Sequence, residues 1–261
     1  MLIVKKDAQM QGHRRVDFWI CDDIAADIQY YNWKTGEYET LESKTSQRYF
    51  VDNLHGLTPD DSVNLYINSM GGDVKEALGI HSVLQRCPAM VTAYIDGFAA
   101  SAASVIAMAA QTIIMPRNTA MMIHNASWWA YGNPAELRKS ADDLEVINRA
   151  AIESYTMHAG DKLTQERLQQ MLDAETWLTA EECVECGLAD RFADKDADAE
   201  KMLELYSATA QAAAEGREAR MFRKPPAFLA GRFPITESRK KQEATPENKS
   251  SLHRLLESMT A

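Results

Sequence analysis

The sequence predicts an α/β fold on three observations. Short apolar runs of strand length alternate along the chain with longer segments whose apolar residues recur at helical spacing. Repeated strand, helix, strand units call for parallel pairing through right-handed crossovers. One helical segment, AASVIAMAA at 102–110, is apolar on most sides, which places it in the interior between covering layers.

VDFWI (16–20) and VNLYI (63–67) have the β-branched and aromatic content of strands. DVKEALGIHSVLQRC (73–87) turns to helical spacing, and AMVTAYI (89–95) returns to strand. After the helix at 102–110 come TIIM (112–115), a turn at Pro116 to Asn118, and AMMIH (120–124). A long helix opens with Asn133 as its cap and Pro134 at its first position, where a missing N–H costs nothing. Leu137, Ala141, Leu144, Ile147, Ala151 and Tyr155 fall on one stripe of it.

With 261 residues, 46% of them hydrophobic, the chain can bury a sizeable core in one large domain, with or without an appendage. No segment reaches the roughly 18 uncharged apolar residues that a spanning helix needs. A soluble cytoplasmic protein is expected, with no membrane partner. Cys21, Cys87, Cys183 and Cys186 are too few and too scattered for a disulfide framework, which agrees with a reducing compartment. Cys183 and Cys186 form a C-x-x-C inside a helical pattern that lacks a second ligand pair, so neither a metal nor a cofactor is expected. A phosphate loop of the form G-x-x-x-x-G-K-[ST] is absent, so nucleotide-driven work is not expected of the chain.

The net charge of −10 is uneven: from Glu215 onward ten Lys and Arg face six Glu, so the tail is +4 and the remainder −14. An acidic body argues against nucleic acid as a partner. The tail holds the turn and linker signals RKPPAF, GRFP and ATPENKSS before a short amphipathic ending, LHRLLESM. The expected organisation is a domain over 1–194 and a basic extension over 195–261, helical in part and otherwise disordered or ordered on a partner.

Three features fall at strand ends, where parallel α/β folds gather their ligand sites. INSMGGDV carries Gly71 and Gly72, which permit positive φ and close approach to peptide N–H groups, as an ordinary turn would also use them. GFAASAAS carries Ser101 and Ser104, although serine also suits a helix start through capping alone. His124 ends AMMIH, a place that a structural histidine can equally occupy. A serine hydroxyl becomes a nucleophile when a base takes its proton and a carboxylate holds that base. The carboxylate is expected in MLDAETWLTAEE (171–182).

YINSMGGDVKEALGIHSVLQ, YIDGFAASAASVIAMA, IIMPRNTAMMIHN, the helix from Pro134 and ETWLTAEECVECGLAD resemble, in order and spacing, the Clp protease proteolytic subunit over about residues 16 to 192. The wording ASAAS and ETWLTAEE is most similar to the ClpP-like head maturation proteases of tailed bacteriophages. The resemblance implies the ClpP/crotonase-like spiral of βα units, with a protruding long helix and a C-terminal extension. It implies a serine endopeptidase with Ser101 as nucleophile, His124 as base, Glu175 as acid and Asp173 as reserve acid. The oxyanion donors it implies are the N–H groups of Gly72 and Ala102, and Ser104 becomes a packing residue. Activity should then fall as His124 takes up a proton. Two departures stand out: Met70 replaces the proline of the family's S-P-G-G turn, and Glu175 replaces its aspartate with one more methylene.

The implied partners are further copies of the chain, in a ring, and protein substrates, with capsid or scaffold proteins of phage heads the expected ones. Two other functions stay open. A crotonase-type acyl-CoA enzyme uses the same spiral and two backbone donors without a Ser/His pair. A catalytically impaired ClpP-like assembly module would follow if the glutamate had cost the activity.

Overall fold

The computed structural model describes residues 6–10 and 13–193, so the extension expected over 195–261 lies outside the described residues. The chain runs β1 (Lys6–Met10), β2 (His13–Ile20), β3 (Ile28–Asn32), β4 (Glu37–Leu41), α1 (Gln47–Leu54), β5 (Ser62–Ser69), α2 (Val74–Gln85) and β6 (Met90–Ala100). It continues with α3 (Ala102–Ala107), β7 (Thr112–Met115), β8 (Ala120–Ile123), α4 (Pro134–Ala159), a single 3-10 turn (Gly160–Lys162), α5 (Gln165–Asp173), β9 (Thr176–Thr179), α6 (Ala180–Cys186) and β10 (Arg191–Phe192). Each strand and helix read from the sequence within the described residues is present, and the class is mixed α/β with a mostly parallel sheet.

The main sheet has the order β1-β2-β5-β6-β7-β10, parallel from β2 onward with β1 antiparallel at its edge. β6 serves two neighbours on the same side. Its first half, Thr92–Tyr94, pairs with β7, and its end, Phe98–Ala100, pairs with β8. β8 in turn carries β9 antiparallel on its far edge. That division delivers the residue after Ala100 to the place where β8 ends.

Alternation drives the burial. Val63, Leu65, Ile67 and Ser69 of β5 point inward, and Val91, Ala93 and Ile95 of β6 do the same. α2 is started by Asp73, whose side chain accepts the N–H groups of Lys75 and Glu76. All six residues of α3 are buried, as an all-round apolar helix requires, and burying a side chain such as Ile106 stabilises by roughly 1.5 to 3 kcal/mol.

α4 departs from the expected buried stripe. It starts with a full capping box between Asn133 and Glu136 and Pro134 in its first turn, yet its buried residues are Ala151, Ile152, Ser154, Tyr155 and Ala159 only. Of the stripe, Leu137 and Ala141 are exposed and Leu144 and Ile147 are half-buried. The sheet is too short to cover a 26-residue helix, so its first half runs past the core and only its second half packs on α2, α3 and α5. The sequence reading also passed over the hairpin of β3 and β4, closed through Gly36 at φ 76, because its period of two is aromatic and polar rather than apolar.

Candidate active site

Ser101 follows directly on β6 with φ 55 and ψ −126, a backbone state that L residues rarely hold. Two bonds keep it there: its N–H donates to the Met122 carbonyl at 2.8 Å, and its carbonyl accepts from the Ser104 N–H at 2.9 Å. It occupies the N-cap position of α3, but its side chain caps nothing. Capping therefore does not explain this serine. Its Oγ lies instead 2.7 Å from Nε2 of His124, which stands one residue beyond the end of β8. For Oγ to donate along that bond, the imidazole is neutral with its proton on Nδ1.

The glycine turn closes on the same point. A Cβ on Gly71 would lie 2.7 Å from the Ala100 carbonyl, 2.8 Å from Ser101 Cβ and 2.9 Å from the Ala102 nitrogen, and its φ is +100. Gly72, at φ +146, would drive a Cβ into the backbone of Ile24. Only glycine fits either place. The Ile24 N–H donates to the Gly71 carbonyl and the Asp73 N–H donates to the Ile24 carbonyl, both at 2.8 Å. In such a parallel bridge the two flanking peptides face Ile24, so the N–H of Gly72 is turned away from it. The N–H of Ala102 is the first of α3 and has no intrahelical acceptor. Met70 is exposed on the turn, and Gly71 donates to Ser69 Oγ at 3.1 Å, a bond that braces the turn.

The two candidate carboxylates have different surroundings. Asp173 accepts from Asn125 Nδ2 at 2.8 Å and from Gln169 Nε2 at 2.7 Å. Glu175 has φ 50 and precedes β9, whose antiparallel register ends on Ile123↔Thr176. One further step of that register sets Glu175 across from His124. Among the described residues no carboxylate oxygen is hydrogen-bonded to the His124 ring.

Three further features were not read from the sequence: the place of Asn125, the bond between Ser104 and Tyr155, and the burial of Asp96. Asn125 holds Asp173, and its Oδ1 is buried without a partner. Ser104 and Tyr155 meet behind Ser101, their oxygens 2.6 Å apart; only the hydroxyl at an otherwise apolar helix position could have signalled Tyr155. Asp96, on β6 before Gly97, has its carboxyl pushed up to about 7 by burial. The C-x-x-C thiols of Cys183 and Cys186 are both held protonated by burial. Among the described residues no group of three or more His, Cys, Asp or Glu side chains is placed to hold a metal ion, and no helix is long and apolar enough to cross a membrane.

Residues 38–196 match the family described as Clp protease. Among solved structures the chain is similar to a mutant of ClpP1 from Listeria monocytogenes, with a TM-score of 0.54 and 19% sequence identity. That match covers 69% of this chain and 92% of the other. At this identity the likeness establishes the spiral fold, and the family match extends over more than half of the chain.

Proposed function

The chain belongs to the Clp protease family, and on that footing we propose that it is a serine endopeptidase in which Ser101, His124 and Glu175 act as nucleophile, base and orienting acid. The observation that carries this reading is the 2.7 Å contact between Ser101 Oγ and His124 Nε2, made by a serine that caps no helix. The family and the fold do not favour the acyl-CoA alternative.

His124 takes the Ser101 proton on Nε2 while Oγ bonds to the scissile carbonyl carbon. The carbonyl electrons move onto its oxygen, which the N–H groups of Gly72 and Ala102 receive. His124 then gives the proton to the leaving amine, the C–N bond breaks, and an acyl-Ser101 ester remains. Water, deprotonated by His124, hydrolyses that ester and restores the hydroxyl. Glu175, facing His124 across the β8/β9 pair, accepts the Nδ1 proton's hydrogen bond once its side chain swings in; Asp173 is already engaged by two amides.

Members of the family form oligomeric rings and act on protein substrates. This chain assembles through the uncovered half of α4 and the loop before it, where Leu137 on the helix and Trp129 and Tyr131 on the loop are exposed. Its substrates are capsid or scaffold proteins of phage heads, a reading supported by the wording of the ASAAS and ETWLTAEE segments and by a basic tail on an acidic body. Deleting residues 216–261 should weaken cleavage of an acidic scaffold protein and spare short peptides; equal losses on both would remove the tail from recognition.

The test of the activity is turnover of short unstructured peptides, which need no unfolding partner, by the full chain. Cleavage that vanishes in Ser101→Ala and in His124→Ala is expected. A folded, assembled wild type that cleaves nothing would leave the assembly-module reading in its place.

A further inference from the structure

Ser104 stands one helical turn past Ser101, and the expectation for it was packing alone. It is indeed fully buried at 0% exposure, but its Oγ makes two hydrogen bonds, 2.6 Å to the Ser101 carbonyl and 2.6 Å to the Tyr155 phenol. A carbonyl can only accept, so the single hydroxyl proton of Ser104 goes to Ser101. The phenol proton therefore goes to Ser104. Tyr155 is 1% exposed, and burial pushes its pKa up to about 12, so it stays a donor throughout the neutral range. The direction of the relay is fixed: Tyr155 O–H to Ser104 Oγ, then Ser104 O–H to the Ser101 carbonyl.

The last acceptor gives the relay its meaning. The Ser101 carbonyl and the Ala102 N–H belong to one planar trans peptide and point to opposite sides of it. Drawing the oxygen inward, toward α3 and α4, turns the N–H outward to where an oxyanion would sit. It also braces the residue whose φ of 55 aims Oγ at His124. We propose that Ser104 and Tyr155 are positioning residues for acyl transfer, holding the Ser101–Ala102 peptide so that Oγ and the Ala102 N–H face the same carbonyl. The inference rests on the peptidase reading of Ser101 and adds to it a link between the nucleophile and the long helix α4, which supplies Tyr155.

The experiment measures the single-turnover rate constant for phosphonylation of Ser101 by a fluorophosphonate, with kcat and KM on a short peptide and a thermal melt, all on the full chain. Tyr155→Phe removes one oxygen and should slow phosphonylation and kcat about fivefold to tenfold, the worth of one hydrogen bond, with KM unchanged. Ser104→Ala should be slower still, and the double variant no slower than Ser104→Ala, because both substitutions cut one chain of bonds. Ser104→Thr, which keeps a hydroxyl able to reach the carbonyl three residues back, should recover most of the rate. A role in packing alone would lower the melting temperature and leave the rate untouched well below it. Tyr155→Phe that phosphonylates at the wild-type rate overturns the proposal while the peptidase reading stands, and it decides the matter even if Ser104→Ala does not fold. A folded wild type that is not phosphonylated at all overturns both.

Discussion

Replacing Gly71 by alanine probes the closest approach in the molecule between the glycine turn and the nucleophile. The new Cβ would sit 2.7 to 2.9 Å from three atoms, of which the Ala100 oxygen and the Ala102 nitrogen are backbone and cannot rotate away. Overpacking of that kind costs about 1 to 3 kcal/mol, and holding an L residue at φ +100 costs about 1 to 3 kcal/mol more. The sum, about 2 to 6 kcal/mol, corresponds to a loss of roughly 5 to 20 °C in melting temperature for a domain of this size. The strain is relieved by moving the turn off Ser101, which separates the N–H groups of Gly72 and Ala102. A displacement approaching 1 Å costs on the order of 100-fold in rate. Gly56→Ala is the control, since Gly56 has φ +73 with nothing near its Cβ position; it should lose about 1 kcal/mol of stability and no activity. The assay is peptide turnover beside a melting curve for both variants. Gly71→Ala with wild-type turnover and wild-type melting would refute the proposed packing of turn against nucleophile.

Three further outcomes follow from the charges. His81 and His158 both have their pKa lowered by burial, while in the unfolded chain they titrate near 6.5. The unfolded state then binds more protons, so stability should fall as pH drops below about 6.5 and keep falling until the lower native values are passed; urea midpoints at pH 8 and pH 5 should differ less in His81→Gln than in wild type. Asp96 has the opposite sign, because its carboxyl is raised to about 7 by burial: stability is lost as pH rises toward that value, and Asp96→Asn should gain about 1 to 3 kcal/mol at pH 8 and nothing at pH 4, read by the same urea titrations. Glu175→Gln should lower kcat on the order of 1000-fold and Asp173→Asn less than about threefold; the reverse ranking in peptide kinetics would move the orienting role to Asp173.

Much of this architecture was legible from pattern. The strands β5 and β6 and the cap at Asn133 with Pro134 after it each announce themselves locally, and glycines, serine and histidine at successive strand ends pointed to one edge of the sheet. What stayed hidden depends on tertiary arrangement. No local signal says that β6 divides its edge between β7 and β8, although that division brings His124 to Ser101. The exposure of Leu137 on α4 is equally invisible to a periodicity that marks only which residues share a face. Ser104 read as a small packing residue because its two bonds reach a carbonyl and a phenol 51 positions away. For the acid, the resemblance offers Glu175 with Asp173 in reserve, and the two amides on Asp173 and the register of β9 are tertiary features that no spacing shows.

The proposed activity turns on the hydroxyl of Ser101 being made nucleophilic by His124. Mapping the adduct of a fluorophosphonate by mass spectrometry, in wild type and in His124→Ala, tests it without any knowledge of the natural substrate. One adduct on Ser101, formed at least about 100-fold more slowly once the imidazole is gone, is the expected result. An adduct on another residue, or one on Ser101 whose rate ignores the loss of His124, would contradict it.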